Sequence, residues 1–220
     1  LSPYWRWLIE NIGREDFERR LLAGERTERG VMRELMRTYA DFRGRPVVGE
    51  KTPAHLRYVE TLLDWFPRGR VVHILRDPRA IYVSELRRRR SHRRKPYSWL
   101  MKVPLLFEAV MLVQTTLVWA GAERRHRQLA RRFPDRYMLL RFEDMVEDPD
   151  RHLRRLFDFV GVETPANATE VEVVSRGFRL GESGLDAEAA RRWRRQIDPV
   201  SDRWLKVFLG RAMRRLGYAD

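Results

Sequence analysis

The stretch Val71–Arg90, VVHILRDPRAIYVSELRRRR, decides the fold because it joins a strand to a helix through one short turn. Arg70–Leu75 is β-branched and mostly apolar, the pattern of a strand buried on both faces of a parallel sheet. Arg76 ends this strand, and Asp77-Pro78 begins a helix with a capping side chain followed by proline. Because ligands of open α/β sheets bind beyond the carboxyl ends of the strands, Arg76 is a candidate binding residue.

A strand followed by a helix is also predicted before this stretch and after it. This alternation predicts an α/β fold, in which helices flank a parallel sheet in three layers. Two further strands are predicted, Arg45–Lys51 and Arg136–Phe142, and residues 163–190 are predicted to form a loop. Helical spacing of apolar residues predicts helices over most of residues 1–43, from Thr52 to Phe66, from Val103 to Arg132, from Asp148 to Gly161 and from Pro199 to Leu216.

The composition indicates an anionic partner and excludes cysteine chemistry. The chain has 220 residues, a net charge of +14, a pI near 10.9 and no cysteine, so it forms no disulfide. No run of about 18 apolar residues predicts a transmembrane helix, and we expect a cytoplasmic protein. Histidines and carboxylates show no metal-ligand spacing, so no metal is expected.

The run Arg87–Lys95 contributes seven basic residues. It is either a solvated helix end or a surface that attracts an anionic cofactor or acceptor. Specific nucleic-acid binding is less favoured, because aromatic residues do not alternate with the basic ones.

Ser84 follows Asp77 by seven positions, which is nearly two helical turns at about 3.6 residues per turn. It therefore returns to the helix face on which the cap lies, and one phosphate can meet both Arg76 and Ser84. The helix N-terminus and the planar donors of arginine both favour such an anion. Alternatively, Arg76 pairs with a carboxylate and Ser84 only packs in the helix.

Four segments, in order, resemble the sulfotransferases that use 3′-phosphoadenosine 5′-phosphosulfate (PAPS), in particular their bacterial and glycan branch. In chain order they are GEKTP at Gly49–Pro53, FPRGRVVHILRDPR at Phe66–Arg79, RDPRAIYVS at Arg76–Ser84, which overlaps the previous segment, and RFEDMVEDPDRHLRRLFDFVG at Arg141–Gly161. RRWRRQ is a weaker match to the tryptophan that follows the family's cofactor-covering loop. The resemblance covers residues 45–195 and implies a P-loop NTPase-like fold.

The resemblance also implies roles for individual residues. Arg76 and Ser84 would hold the 3′-phosphate of PAPS, and Phe142 stands where cytosolic members place a tyrosine beside the adenine. Lys51 would contact the sulfuryl group or an acidic acceptor. His55, one helical turn beyond Lys51, is a candidate general base. Glu50 is expected to pair with Lys51, and Glu143 and Asp144 to cap and pair locally.

The family's first strand and its Gly-rich loop, which bind the 5′-phosphosulfate, have no match in this sequence. We therefore expect residues 1–220 to form one sulfotransferase-like domain that lacks the P-loop strand. The expected reaction is sulfuryl transfer from PAPS to a small-molecule or glycan acceptor through a hydroxyl or amine. The alternatives are a non-catalytic remnant that binds adenosine 3′,5′-bisphosphate or an anionic partner, and a basic nucleic-acid-binding protein. The oligomeric state is left open.

Overall fold

The computed structural model describes residues 11, 13–91, 102–170, 172–175, 178–183 and 186–218. The chain divides into two compact units, Leu1–Pro67 and Arg68–Asp220. The single domain expected over residues 1–220 stays a prediction. Residues 92–95 of the basic run, and most of residues 1–12, lie outside the described part of the chain.

The first unit is helical, as its sequence predicts. Its helices are α1 (Arg14–Ala23), α2 (Glu28–Arg43) and α3 (Val59–Trp65), the last preceded by a 3₁₀ helix at Pro53–Tyr58. Thr27 caps α2 by accepting a hydrogen bond from the Gly30 amide at 3.1 Å.

The strand predicted at Arg45–Lys51 is wrong. These residues follow α2 without regular structure, and none of them makes a ladder hydrogen bond to another described residue. A strand exists only where a neighbouring strand satisfies its backbone groups. The β-branched pair Val47-Val48 therefore indicated a strand that has no partner here.

The second unit contains a parallel pair of strands, β1 (Val71–Leu75) and β2 (Tyr137–Arg141), in a register that places Leu75 opposite Arg141. Helix α4 (Pro78–Ser91) follows β1, and α5 (Pro104–Arg132) crosses back to β2. Beyond β2 come α6 (Phe142–Glu147), α7 (Pro149–Val160), α8 (Glu188–Arg191), a 3₁₀ helix at Arg192–Arg195, and α9 (Pro199–Arg215).

The core of the second unit lies where α4, α5 and α9 pack on the sheet. Its buried side chains are Leu75, Tyr82, Phe107, Met111, Leu112, Trp119, Leu205, Leu209, Met213 and Tyr218. Ile74 points to the opposite face of the sheet and is 52% exposed. The expectation that β1 is buried on both faces is therefore wrong, because the helices of this core cover only the face that carries Leu75.

The loop predicted over residues 163–190 is wrong in part, because it contains an antiparallel pair of strands. These are β3 (Glu172–Ser175) and β4 (Phe178–Ser183). Their sequence mixes charged and apolar residues without a strong period, which is why the pattern predicted a loop.

Helix α5 is, within the described part of the chain, the one helix long and apolar enough to cross a bilayer by length and composition. A third of its most apolar window is buried inside the protein. The helix carries Phe107, Met111 and Trp119 into the core, as expected of a core helix.

Candidate functional site

The carboxyl ends of β1 and β2 bring two predicted site residues together. Because Leu75 pairs with Arg141, the next residues of the two strands, Arg76 and Phe142, lie side by side. The guanidinium carbon of Arg76 lies 4.5 Å from the centre of the Phe142 ring, within the range of a cation–π contact. Parallel pairing is thus what places these residues, which are far apart in sequence, at one edge of the sheet.

Arg76 is fixed by contacts from two other elements. Its Nη2 donates to the carbonyl oxygen of Ala189 at 2.5 Å, and its own carbonyl accepts from Trp119 Nε1 at 2.9 Å. Its Nε is buried and has no hydrogen-bond partner among the described residues. Burial lowers the pKa of the guanidinium, while the nearby Glu143 and Asp77 carboxylates oppose that effect. The Arg76 guanidinium, the candidate anion-binding group, is therefore held in place, and no described residue accepts a hydrogen bond from its Nε.

The turn after Arg76 is built on a buried ion pair. Asp77 accepts hydrogen bonds from the backbone amide of Arg79 at 2.8 Å and from Arg79 Nε at 3.0 Å. A third bond joins Arg79 Nη2 to the second Asp77 oxygen at 2.8 Å. The Arg79 guanidinium also lies 4.3 Å from the Trp193 ring centre. This tryptophan belongs to the segment RRWRRQ, and its ring packs against the Arg79 side chain of the turn.

Glu143 contributes to the same turn, which is a role the sequence did not reveal. Its Oε1 accepts the backbone amide of Asp77 at 2.9 Å, across 66 residues of chain. The other oxygen, Oε2, is buried and has no partner among the described residues, and burial raises the pKa of the carboxyl. The expectation of purely local pairing is wrong for Glu143, because it lies beside the β1 turn. Asp144 does pair locally, with Arg141 at 3.3 Å.

Ser84 lies on α4, two turns beyond the start of the helix, and its side chain is half-buried. It makes no hydrogen bond to another described residue, so its hydroxyl is available. The structure places Arg76 at the start of this helix and Ser84 within it, but no hydrogen bond joins them. Their shared phosphate stays a prediction.

Lys51 and His55 belong to the first unit, whereas Arg76, Ser84 and Phe142 belong to the second. Lys51 is exposed and has no salt bridge to a described residue. His55 Nδ1 lies 2.6 Å from Glu50 Oε2. The Thr52 hydroxyl donates to the other Glu50 oxygen and does not cap the following helix. The expected Glu50–Lys51 pair is therefore wrong, because both oxygens of Glu50 are already engaged.

The arrangement of Glu50 and His55 has a clear chemical consequence. A carboxylate that accepts from Nδ1 fixes the neutral imidazole in the tautomer whose Nε2 is free to accept a proton. A contact between a carboxylate and a histidine Nδ1 is the arrangement that orients a histidine for general-base catalysis. Apart from the spacing of Glu50 and His55, no sequence pattern predicts this pair.

Comparison with known proteins identifies the family. The sequence model of the sulfotransferase family matches residues 4–166 of the chain. An omega-hydroxy-beta-dihydromenaquinone-9 sulfotransferase of Mycobacterium tuberculosis is 30% identical over 61% of this chain and 33% of its own length. Carbohydrate sulfotransferase 4 of Mus musculus is 27% identical over 67% of this chain and 41% of its own length. The matched part thus spans less than half of each curated relative.

Solved structures share the fold. A sulfotransferase domain from the curacin biosynthetic pathway superposes with a TM-score of 0.57 at 17% identity, covering 84% of this chain and 68% of that one. The sulfotransferase domain of the Synechococcus PCC 7002 olefin synthase gives 0.54 at 20% identity, covering 81% and 66%. The predicted α/β fold is confirmed.

Proposed function

The chain belongs to the sulfotransferase family, and we propose that it binds PAPS and transfers its sulfuryl group to a hydroxyl or amine acceptor. The observation that carries this proposal is the position of Arg76, beside Phe142 at the carboxyl ends of two parallel strands. This edge is where ligands bind in open α/β sheets.

Arg76 and Ser84 are proposed to hold the 3′-phosphate. The residues fit this group, because neither the buried Nε of Arg76 nor the Ser84 hydroxyl makes a hydrogen bond within the part of the chain that the structure describes. The only side-chain hydrogen bond of Arg76 to a described residue goes to the Ala189 carbonyl. A phosphate would replace the neutral carbonyl with an anionic acceptor, so that both partners of the bond are charged and bidentate geometry becomes possible.

Phe142 is proposed to lie against the adenine. One face of its ring meets Arg76, so the base would stack on the rest of the half-buried ring without a hydrogen bond. Glu143 is proposed as a positioning residue, because it holds the amide of the residue that follows Arg76.

Lys51 and His55 are proposed to serve the sulfuryl end of the reaction. The acceptor oxygen or nitrogen forms a bond to sulfur as the bond from sulfur to the phosphate oxygen breaks. The acceptor proton passes to His55 Nε2, while Glu50 holds Nδ1. Lys51 offsets the negative charge that develops on the transferring and bridging oxygens.

The acceptor class is proposed from the relatives. One named relative acts on a dihydromenaquinone and another on carbohydrate, so a hydroxyl of a lipid or glycan is the first class to test. We further propose a cytoplasmic location and one domain over residues 1–220.

The test is transfer of a radiolabelled sulfuryl group from PAPS to a panel of lipid, glycan, phenol and amine acceptors. Under the proposal, His55→Ala lowers the rate by about 100-fold or more, as expected for loss of a general base. His152→Ala on α7 is the matched control and leaves the rate unchanged. Binding of adenosine 3′,5′-bisphosphate without transfer would favour the non-catalytic remnant. Salt-sensitive nucleic-acid binding that ignores Arg76→Ala would favour the basic-protein alternative.

A further inference from the structure

Helices α5 and α9 pack side by side and share one outer surface. Trp204 Nε1 on α9 donates to Thr116 Oγ1 on α5 at 3.1 Å. About two turns further along α5 and about three turns further along α9, Arg215 donates to Glu123 at 2.9 Å. Because the contacts advance in the same direction on both helices, the two axes run parallel. Helix α9 therefore runs alongside the middle of α5, with Trp204 beside Thr116 and the C-terminal end of α9 beside Glu123.

The N-terminal halves present an exposed apolar surface. Trp204 and Phe208 pack with ring centres 4.4 Å apart and ring planes tilted by 41°. They lie next to Thr116, to which Trp204 donates a hydrogen bond from α9 to α5. The apolar side chains on this side are Leu105 (82% exposed), Leu106 (48%), Val113 (42%), Leu117 (67%), Val200 (76%), Val207 (70%) and Phe208 (59%). Together they present on the order of several hundred Å² of apolar area, the size at which a patch marks an interaction site. We call these residues the α5–α9 face.

The C-terminal ends of the same helices supply a basic margin to this face. Arg124 and Arg131 continue the stripe of Leu117 along α5, since seven residues are nearly two turns. Arg211 follows Phe208 on α9 by three residues. All three arginines are exposed, and none has a salt bridge to another described residue. The margin is therefore positive and has no counter-charge of its own.

The acidic residues of the two helices do not neutralise this margin, because each one is already paired. Glu108 pairs with Arg90. Glu123 is bonded by Arg127 at 3.0 Å and by Arg215 at 2.9 Å. Asp202 pairs with Lys206 at 2.9 Å. The α5–α9 face thus offers apolar area next to unpaired positive charge, and its complement is an apolar surface bordered by anions.

We propose that the α5–α9 face docks the protein onto an anionic lipid bilayer. Such a surface is complementary in both respects, because acyl chains take the apolar side chains and lipid phosphates take the arginines. Docking places the helices at the interface and does not insert α5 across the bilayer. The opposite side of α5 is fixed in the core by Phe107, Met111 and Trp119, and Glu123 is buried on the same helix. The proposal does not depend on the sulfuryl-transfer proposal.

Co-sedimentation with vesicles tests the proposal on the full chain. We expect binding to vesicles of phosphatidylcholine and phosphatidylserine mixed three to one, and weak binding to phosphatidylcholine alone. Each neutralised arginine near the surface is expected to cost about fivefold in affinity, so the double variant Arg124→Gln/Arg211→Gln loses about 25-fold. Leu117→Asp/Phe208→Asp loses at least tenfold, because charged side chains cannot enter the acyl region.

The matched control is Arg154→Gln/Arg155→Gln on α7, which removes two exposed arginines elsewhere and keeps most of the affinity. An equal loss in this control would overturn the proposal in favour of general attraction by the net charge. Fluorescence quenching by brominated lipid gives a second readout on the unaltered protein. The quenching of Trp204 is measured as the difference in fluorescence loss between the unaltered chain and Trp204→Phe. We expect Trp204 to be quenched. An absence of such quenching, or self-association through Leu117 and Phe208 without vesicle binding, would also overturn it.

Discussion

Replacing Arg79 by leucine tests whether the turn after β1 depends on its buried ion pair. Arg79 and Asp77 have side chains that are 2% and 6% exposed, and Arg79 Nη2 lies 2.8 Å from the Asp77 carboxylate. Arg79→Leu keeps an apolar side chain over Trp193 but leaves the Asp77 carboxylate buried without its counter-charge. Because Arg79 also lies 3.8 Å from Asp202 and over the Trp193 ring, the variant measures chiefly, but not solely, the cost of leaving the Asp77 carboxylate without its bonded cation.

The expected cost is large. Removing one partner of a buried pair destabilises proteins by about 3–5 kcal/mol. The loss of the contact with Trp193 adds about 0.5–2 kcal/mol. At about 2–4 °C per kcal/mol for a domain of this size, the melting temperature should fall by roughly 7–28 °C.

Urea unfolding followed by circular dichroism measures the change, and Arg88→Leu is the control. Arg88 pairs with Glu85 at 2.5 Å on the same helix, but its side chain is 49% exposed, and such pairs contribute about 0–1 kcal/mol. If Arg79→Leu cost no more than Arg88→Leu, the account of this turn would be refuted. Asp77→Asn/Arg79→Leu, which removes both charges, should recover part of the loss.

Three further predictions concern titratable groups. Burial lowers the pKa of His73 to about 4, so stability present above pH 6.5 should be lost as the pH falls toward 4. Urea unfolding should show a loss of up to about 3 kcal/mol in the free energy of unfolding over this range. His73→Gln should make that free energy depend less on pH. Burial raises the pKa of Glu143, so its contribution to the free energy of unfolding falls as the pH rises. At pH 8, Glu143→Gln should therefore unfold at a urea concentration equal to or higher than that of the unaltered chain. Glu143→Ala should unfold at a lower urea concentration, because the amide of Asp77 loses its acceptor. Glu50→Ala should lower the transfer rate about tenfold, less than His55→Ala, and a rate equal to that of the unaltered chain would exclude Glu50 as a positioning residue.

The strand-turn-helix at Val71–Ser91 could be predicted because every part of its pattern is local. A β-branched run predicts the strand, Asp77-Pro78 predicts the helix start, and the structure has both within a residue of the predicted bounds. The helix that begins at Pro149 was predicted for the same reason, because Asp148-Pro149 repeats the capping signal. The helices that begin at Pro104 and Pro199 were predicted from the helical spacing of their apolar residues, which is also a local pattern.

The contacts of the site could not be predicted because they are not local. Glu143 reaches Asp77 across 66 residues, and Trp193 meets Arg79 from the segment after β4. Apolar spacing also failed on α2, where Val31 and Phe42 are exposed while Glu34 and Thr38 are buried. A period in the sequence marks an apolar stripe, but the position of the neighbouring elements decides which side of the helix is covered.

The most direct test of the central claim is calorimetric titration with adenosine 3′,5′-bisphosphate and with adenosine 5′-monophosphate. We expect the chain to prefer the bisphosphate by about 10- to 150-fold, because the 3′-phosphate adds charge-assisted bonds worth about 1.5–3 kcal/mol. Arg76→Ala and Ser84→Ala should each reduce that preference, whereas Arg154→Ala, which removes an exposed arginine on α7, should leave it intact. Equal affinity for the two nucleotides in a folded chain, or a preference that Arg76→Ala does not change, would contradict the account.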